Sequence, residues 1–389
     1  MIVKDEETSL ATCLESVGDL VQEIIILDTG STDNTITIAK QAGAQVYQFP
    51  WNHDFAAARN QALKYTNGEW VLVLDADEVL TPEIAAHIKQ AIESPKTLVV
   101  NLVRQEVGAM QSPYSLVSRL FRRHPQIEFN RPYHALIDDS VAKLQQQEPH
   151  WQVVSLTPVA ILHYGYQPGA IAAKNKSQIA QKAMEAYLAN HPGDPYVCSK
   201  LGALYLKIGE VQKGFQLLQR GLQAQNLTAP LQFELHYHLA NTYANQQDPN
   251  QAALHYQQAI AQPILPQLKL GAYNNLGSLL QAAGQLPLAK QAYQKALAID
   301  PNFTIAHYNL GMTLKAMGLF VEAIASYQKA IQLNPNYAPA YQNLGVALLK
   351  IGKLPESLSA FERAIALYTA ENSPEAQRLR QGLQEMGLA

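Results

Sequence analysis

The chain has 389 residues, 48% hydrophobic and 16% charged, with a formal net charge of −3; that size and apolar content suit about two or three domains with real cores and exclude general disorder. Residues 1–173 carry 12 Lys+Arg against 20 Asp+Glu, a net of −8, and residues 174–389 carry 17 against 12, a net of +5. Neither half clusters its cations, which excludes a nucleic-acid surface; the longest apolar runs, at 24–27 and 71–74, fall far short of the ~20 residues of a membrane span. Cys13 and Cys198 match no disulfide or metal-ligand spacing. The expectation is a soluble, cytoplasmic protein with two ordinary buried thiols.

Residues 1–110 alternate short apolar runs with amphipathic stretches, the pattern of a parallel sheet covered by helices. A strand remnant at 1–3 precedes a helix from about Thr8 that carries Leu10, Leu14 and Val17 on one face and stops near Gly18. Residues 23–27 form a buried strand. The polar run Asp28-Thr29-Gly30-Ser31-Thr32-Asp33-Asn34-Thr35 follows, in which Ser31 or Asp33 caps a helix ending at Gly43. After a third strand at 45–49, Asp54 caps a helix through Ala57, Ala58 and Ala62 to Gly68, and 70–74 is a fourth strand. Thr81-Pro82 opens a helix with Ile84, Ile88 and Ile92 facing inward, and 97–103 is a fifth strand. From 104 to 173 the alternation weakens, which predicts irregular, partly antiparallel structure.

The second half repeats itself. Gly277, Gly311 and Gly345 stand 34 residues apart within Asn-Leu-Gly, each followed by Ala289, Ala323 or Ser357, then Tyr293, Tyr327 or Phe361, then Ala296, Ala330 or Ala364. Small residues let two antiparallel helices approach closely, the aromatic is expected to fill the gap to the next pair, and Pro301 and Pro335 stop the second helix. The register resembles the tetratricopeptide repeat. Looser copies start near Leu201-Gly202 and Leu239-Ala240, the latter with three extra residues before the next unit, giving five repeats over about 195–368 with a capping half repeat upstream and a closing helix after Thr369. Asn275, Asn309 and Asn343 share one position on the first helix of their pairs; a row of amides there can grip an extended peptide or protein partner, or is a common consensus choice for the repeat.

Ligands of open α/β sheets bind beyond the carboxyl ends of the strands. Asp28 follows strand two, and Asp75-Ala76-Asp77-Glu78 follows strand four, where alternation sends Asp75 and Asp77 into one crevice. Carboxylates without an arginine nearby in sequence invite a divalent cation, Mn²⁺ or Mg²⁺, held through oxygen ligands plus substrate phosphates.

The segments Met-Ile-Val-Lys-Asp-Glu-Glu at 1–7, Asp28 to Thr35, Trp51 with Asp54-Phe55 and Ala58-Arg59-Asn60, and Trp70 to Glu78 together resemble family 2 glycosyltransferases of the GT-A fold, over about 1–173. The fold this implies is a Rossmann-like α/β nucleotide-sugar-binding domain with a mostly parallel sheet, at 1–173, followed by an all-α tetratricopeptide solenoid at 174–389. The family carries several residues ahead of the first strand, where this chain already begins, so that strand is either short or preceded by more chain.

The resemblance implies an inverting, metal-dependent transferase. Its donor is a nucleotide sugar, uridine-linked in most members, met by backbone at Ile2, Val3 and Lys4, by Glu7, by Asp28 at the base, by Arg59 near the diphosphate and by Asp75 near the ribose. Asp77 would bind the cation, and His163, in His-Tyr-Gly-Tyr, would complete its shell. Relatives place a glutamate directly after a histidine as the base that takes the acceptor's proton. Here that segment reads Tyr133-His134-Ala135, which leaves Asp138 or Asp139 as the base, or a repeat scaffold whose transferase domain binds the donor without turnover.

Overall fold

A computed structural model of the chain describes all residues except Met110, His134, 166–169 and Ala389, and gives 170–176 as backbone alone. His134 and Tyr166, quoted in the motifs above, therefore lie outside the described residues. The chain forms two compact units, Met1–Asn226 and Leu227–Ala389.

The first unit opens with β1 (Ile2–Val3), α1 (Leu10–Val17), β2 (Ile25–Asp28), α2 (Thr35–Gln41), β3 (Gln45–Gln48) and α3 (Phe55–Leu63). β1, β2 and β3 pair in parallel in that order. β2 is buried along its whole length, as its unbroken apolar run requires. Asp54 caps α3 by accepting a hydrogen bond from the Ala57 amide, as expected; α2 has Asn34 at its N-cap with no side-chain cap bond, and Asp33, one residue before it, accepts from the Thr35 amide. Ser31 instead accepts from the amide of Asp5.

Next come β4 (Trp70–Leu72), β5 (Glu78–Leu80), α4 (Ile84–Ile92), β6 (Thr97–Glu106), β7 (Tyr114–Arg122), α5 (Asp138–Gln147) and β8 (Gln152–His163). They form a second sheet in the order β4-β7-β6-β8-β5. Only β6 and β8 pair in parallel there; β4 pairs antiparallel with β7 rather than extending the first sheet. The β6–β7 hairpin offers its apolar residues Leu120 and Phe121 to Leu72 and Val71, a closer match than the polar edge of β3. α1 and α4 bury Cys13, Val17, Ile84 and Ile88 against one face, and α3 and α5 bury Ala56, Val141 and Leu144 against the other.

Helices α6 (Ala170–Asn190), α7 (Pro195–Lys207) and α8 (Val211–Leu222) complete the first unit. The border between units thus falls at 226/227, past the 173/174 read from the sequence. Tyr133 packs among Met184, Leu188 and Val197, and the Arg131 guanidinium bonds Asp194 at the start of α7, which ties these helices to the sheet-bearing part of the first unit.

The second unit is helical: α9 (Ala229–Asn245), α10 (Pro249–Ala261), α11 (Leu270–Ala282), α12 (Leu286–Ile299), α13 (Thr304–Ala316), α14 (Phe320–Leu333), α15 (Ala338–Lys350), α16 (Leu354–Ala370) and a closing α17 (Glu375–Glu385). Antiparallel pairs recur at the period read from the glycines. The aromatic, expected between pairs, lies against the glycine of its own pair. A Cβ on Gly311 would stand 2.6 Å from the Tyr327 ring, and one on Gly277 or Gly345 would stand 2.7 Å from Tyr293 or Phe361. Those rings are fully buried or nearly so, so the second helix has nowhere to retreat.

Two predictions follow from the packing of this unit. Gly311→Ala should destabilise it by about 2 kcal/mol through overpacking, seen as a lower denaturant midpoint, with Gly318→Ala, whose added methyl meets nothing within 4 Å, differing by showing backbone strain alone. His236 on α9 and His255 on α10 place their Nδ1 atoms 2.9 Å apart, so only one can carry a proton there. Desolvation, and then the charge of His255, push His236 down to about 4. A folded-state value below the unfolded one contributes stability that is full above pH ~6.5 and lost as pH falls towards 4. The acid limb of a pH-dependent melt should therefore flatten in His236→Gln; an unchanged limb would remove this account.

Candidate active site

One side of the candidate site is built from the ends of β1 and β2. Asp28 is buried, and its carboxylate accepts hydrogen bonds from the amides of Gly30 and Ser31, closing the loop on itself. The two following loops zip together. Thr32 donates to Asp5, Glu7 donates its amide to Asp33, and Asn34 donates its amide and side chain to the Glu7 carboxylate. Glu7 thus orders the loop before α2. Val3 accepts from the Thr29 amide, Ile2 packs beside Leu27 and Ala58, and Lys4 is exposed.

Asp75 and Asp77 flank a buried Ala76 in the turn between β4 and β5, closed by the Glu78 amide donating to the Asp75 carbonyl, rather than on an alternating strand, and they meet different partners. Asp75 is gripped by Arg59 Nη2 at 3.0 Å and Arg119 Nη2 at 2.7 Å. The reading that these carboxylates lack an arginine is therefore corrected for Asp75; its partners come from α3 and β7. Burial opposes its charge, yet Arg119 and then Arg59 hold the carboxyl well below the usual carboxylate range.

Asp77 faces His163 across 3.2 Å from Oδ2 to Nε2, and His163 Nδ1 meets Glu106 Oε2 at 2.5 Å. Burial alone would lower the imidazole; hydrogen bonds to Asp77 and Glu106 instead push it up to about 9. Arg104 bonds both Glu106 (2.7 Å) and Glu78 (3.0 Å), and Glu78 in turn accepts from the Asp75 amide and lies 3.5 Å from Arg119. One continuous chain of charges thus joins the two aspartates.

No group of three or more His, Cys, Asp or Glu converges on a cation position among the described residues. The pair Asp77 and His163 nevertheless suits a divalent cation whose remaining ligands are diphosphate oxygens, and a carboxylate with an imidazole suits Mn²⁺ better than Mg²⁺. Gly165 lies directly against both, with no room for a side chain: a Cβ there would stand 2.7 Å from His163 Nε2 and 2.9 Å from Asp77 Oδ2.

The side of the candidate site nearest α5 is held by α3. Arg59 Nη1 donates to the Ala135 carbonyl, and the Asn60 side chain exchanges two hydrogen bonds with the backbone of Phe129. Burial, and then the charge of Asp75, raise the Tyr133 hydroxyl above its usual range. Ala135, at the position where the resemblance leads one to expect a glutamate, is 4% exposed and packs in the core. Asp138 and Asp139 open α5 rather than a turn. Asp138 accepts from Ser118 Oγ, while Asp139 is engaged by Arg131 at 2.8 Å. Desolvation lifts the Asp138 carboxyl above the usual range against the Ser118 hydrogen bond, and the Asp139 charge adds to the rise. No hydrogen bond among the described residues joins either of them to Asp75 or Asp77.

The asparagine row is engaged within the repeats. Asn275 Nδ2 donates to Asn241 Oδ1, Asn309 Nδ2 to Asn274 Oδ1, and Asn343 Nδ2 to Tyr308 and to the Pro339 carbonyl. Their amide donors stitch one repeat to the one before, in place of the free amides expected for a peptide.

Sequence reasoning missed Arg104, Glu106, Arg119 and Gly165. Arg104 and Glu106 carried a signal, being charges two apart at the end of an apolar strand. Arg119→Met should cost about 3 kcal/mol by leaving buried Glu78 with one cation fewer. Denaturant titration of a double-mutant cycle with Glu78→Gln should recover part of that loss, and strict additivity would contradict the coupling.

The family model for Glycosyl transferase family 2 matches residues 1–154, and tetratricopeptide models match 233–261, 277–318, 304–337 and 326–359. A TPR repeat-containing protein of Synechococcus elongatus is 44% identical over 301 residues, covering 77% of this chain and 75% of that protein. The SPbeta prophage-derived glycosyltransferase SunS of Bacillus subtilis is 28% identical over 202 residues, 50% of this chain, which spans 46% of that relative's length. A solved structure of MamA protein aligns over 46% of this chain and 95% of its own, at 24% identity and a TM-score of 0.41.

Proposed function

We propose that this chain, which belongs to the family 2 glycosyltransferases and carries a C-terminal tetratricopeptide array, moves a sugar, of hexose type, from a uridine diphosphate carrier to a protein or peptide acceptor with inversion. The observation that carries this reading is the pair Asp77 and His163, packed against a glycine at 165 where no side chain fits and joined through buried charges to an Asp75 fixed by two arginines.

Asp28 receives the base: a carboxylate has about four acceptor sites, and the loop amides leave room for one more donor. Backbone at Ile2, Val3 and Lys4 lines the same pocket, and Glu7 holds its loop closed. Asp75 accepts from a ribose hydroxyl without moving, because Arg59 and Arg119 fix both its oxygens. Asp77 and His163 would hold Mn²⁺ or Mg²⁺, which supplies Lewis-acid stabilisation of the departing diphosphate. Asp138 takes the acceptor proton as the new bond forms, since Asp139 is engaged by Arg131 while Asp138 accepts from the Ser118 hydroxyl. The helical repeats recruit the acceptor through surfaces other than the asparagine donors. Two free, buried cysteines suit a reducing, cytoplasmic setting, and among the described residues no helix is long and apolar enough to cross a membrane.

Release of sugar from a panel of uridine diphosphate sugars with Mn²⁺ tests this. Asp77→Asn should lose at least ~100-fold in turnover, and Asp138→Asn should lower turnover with acceptor while leaving uridine diphosphate binding intact, with Asp139→Asn milder. A larger loss in Asp139→Asn than in Asp138→Asn would reverse the base assignment. The buried Ala135 favours a second reading, a repeat scaffold that binds the donor without transfer. Binding with no turnover of any donor or acceptor would select it.

A further inference from the structure

Strand register, rather than sequence proximity, brings Glu106 to His163. β8 lies between β5 and β6, and His163 stands opposite Glu78 on one side and Glu106 on the other. Three ionisable residues therefore form one cross-strand row, with Arg104 bonding both flanking carboxylates. Glu106 is well fixed: its Oε1 accepts from Arg104 Nη2 at 2.7 Å and from Ser115 Oγ at 3.3 Å, which leaves Oε2 at 2.5 Å from His163 Nδ1. The opposite ring nitrogen, Nε2, faces Asp77, with Gly165 directly against both.

An imidazole that binds a cation through one nitrogen is aimed by whatever engages the other. We propose that Glu106 is the positioning residue of the cation site: it holds Nδ1 so that Nε2 points to the place shared with Asp77. This rests on the reading of Asp77 and His163 as cation ligands. Glu106 touches neither donor nor cation itself; it acts through the ring, and Arg104 and Ser115 act through Glu106.

Charge and reach can be separated with two near-isosteric variants. Glu106→Gln keeps the reach and an acceptor oxygen but drops the charge, whereas Glu106→Asp keeps the charge and withdraws it by one methylene. The readout is the dissociation constant of Mn²⁺ from the full chain with uridine diphosphate, by calorimetry and by electron paramagnetic resonance of free Mn²⁺. Binding of uridine diphosphate in a chelator, and the melting temperature, are measured alongside. Positioning predicts that Glu106→Asp weakens Mn²⁺ by ~10-fold or more while Glu106→Gln stays within ~3-fold, with chelator-independent nucleotide binding unchanged in both. Equal affinity in Glu106→Asp and the parent chain would overturn the proposal, as would a greater loss in Glu106→Gln, which would make Glu106 a counter-charge only. If the parent chain binds uridine diphosphate but takes up no Mn²⁺, the cation reading itself falls, and this proposal with it.

Discussion

Glu78 is a carboxylate with no exposed surface, and the arrangement of the charged cluster around Asp75 and Asp77 follows from what neutralises it. A buried charge without partners costs several kcal/mol, so Arg104 and Arg119 must approach from β6 and β7. Neither arginine is spent on Glu78 alone. Arg119 also fixes Asp75, and Arg104 also fixes Glu106, which engages His163. Asp75, Glu78, Glu106 and Asp77 offer four negative charges against three arginines, counting Arg59, and a His163 pushed up to about 9 supplies the fourth positive charge. The cluster is thus close to neutral without a cation. A divalent cation held by Asp77 and His163 would displace the imidazole proton, leaving the cluster one positive charge richer and suited to an anionic ligand.

The parts of this arrangement legible in the sequence are those fixed locally. Asp28, Asp75 and Asp77 lie at strand ends, Asp54 caps a helix, and the burial of β2 follows from its apolar run. What was hidden depends on pairing across distance. Arg59 and Arg119 lie 16 and 44 residues from Asp75, and no spacing rule connects them. The antiparallel sheet was legible only as a weakening of the strand–helix alternation. β5 is three residues long and begins inside the acidic run, so it read as loop, and only its pairing with β8, some 80 residues on, makes it a strand.

The repeats divide along the same line. Their period, helix count and stops are local properties, and the 34-residue spacing of Gly277, Gly311 and Gly345 displays them. The seat of each aromatic is a contact between helices, and the glycine exists to admit it. The asparagines show how a recurring residue can be recurrent for structural reasons. Each donates towards the preceding repeat, so the period that made them look like a binding row is the period of the stitching.

Arg131 links the two parts of the first unit and bears on which aspartate does chemistry. Its backbone is left-handed at φ 73°, a conformation disfavoured for a side chain of this size, and its buried guanidinium bonds Asp139 at the head of α5 and Asp194 at the head of α7. Tyr196 lies beneath it at 5.1 Å. A carboxylate serving as one wall of such a bridge cannot accept a proton without loosening the bridge, because the ion pair depends on its charge. Among the described residues, the Asp138 carboxylate is bonded by a serine hydroxyl and by no cation. On the proposed reading, Asp139 is therefore excluded as the base by its pairing with Arg131, and Asp138 is left to change its protonation.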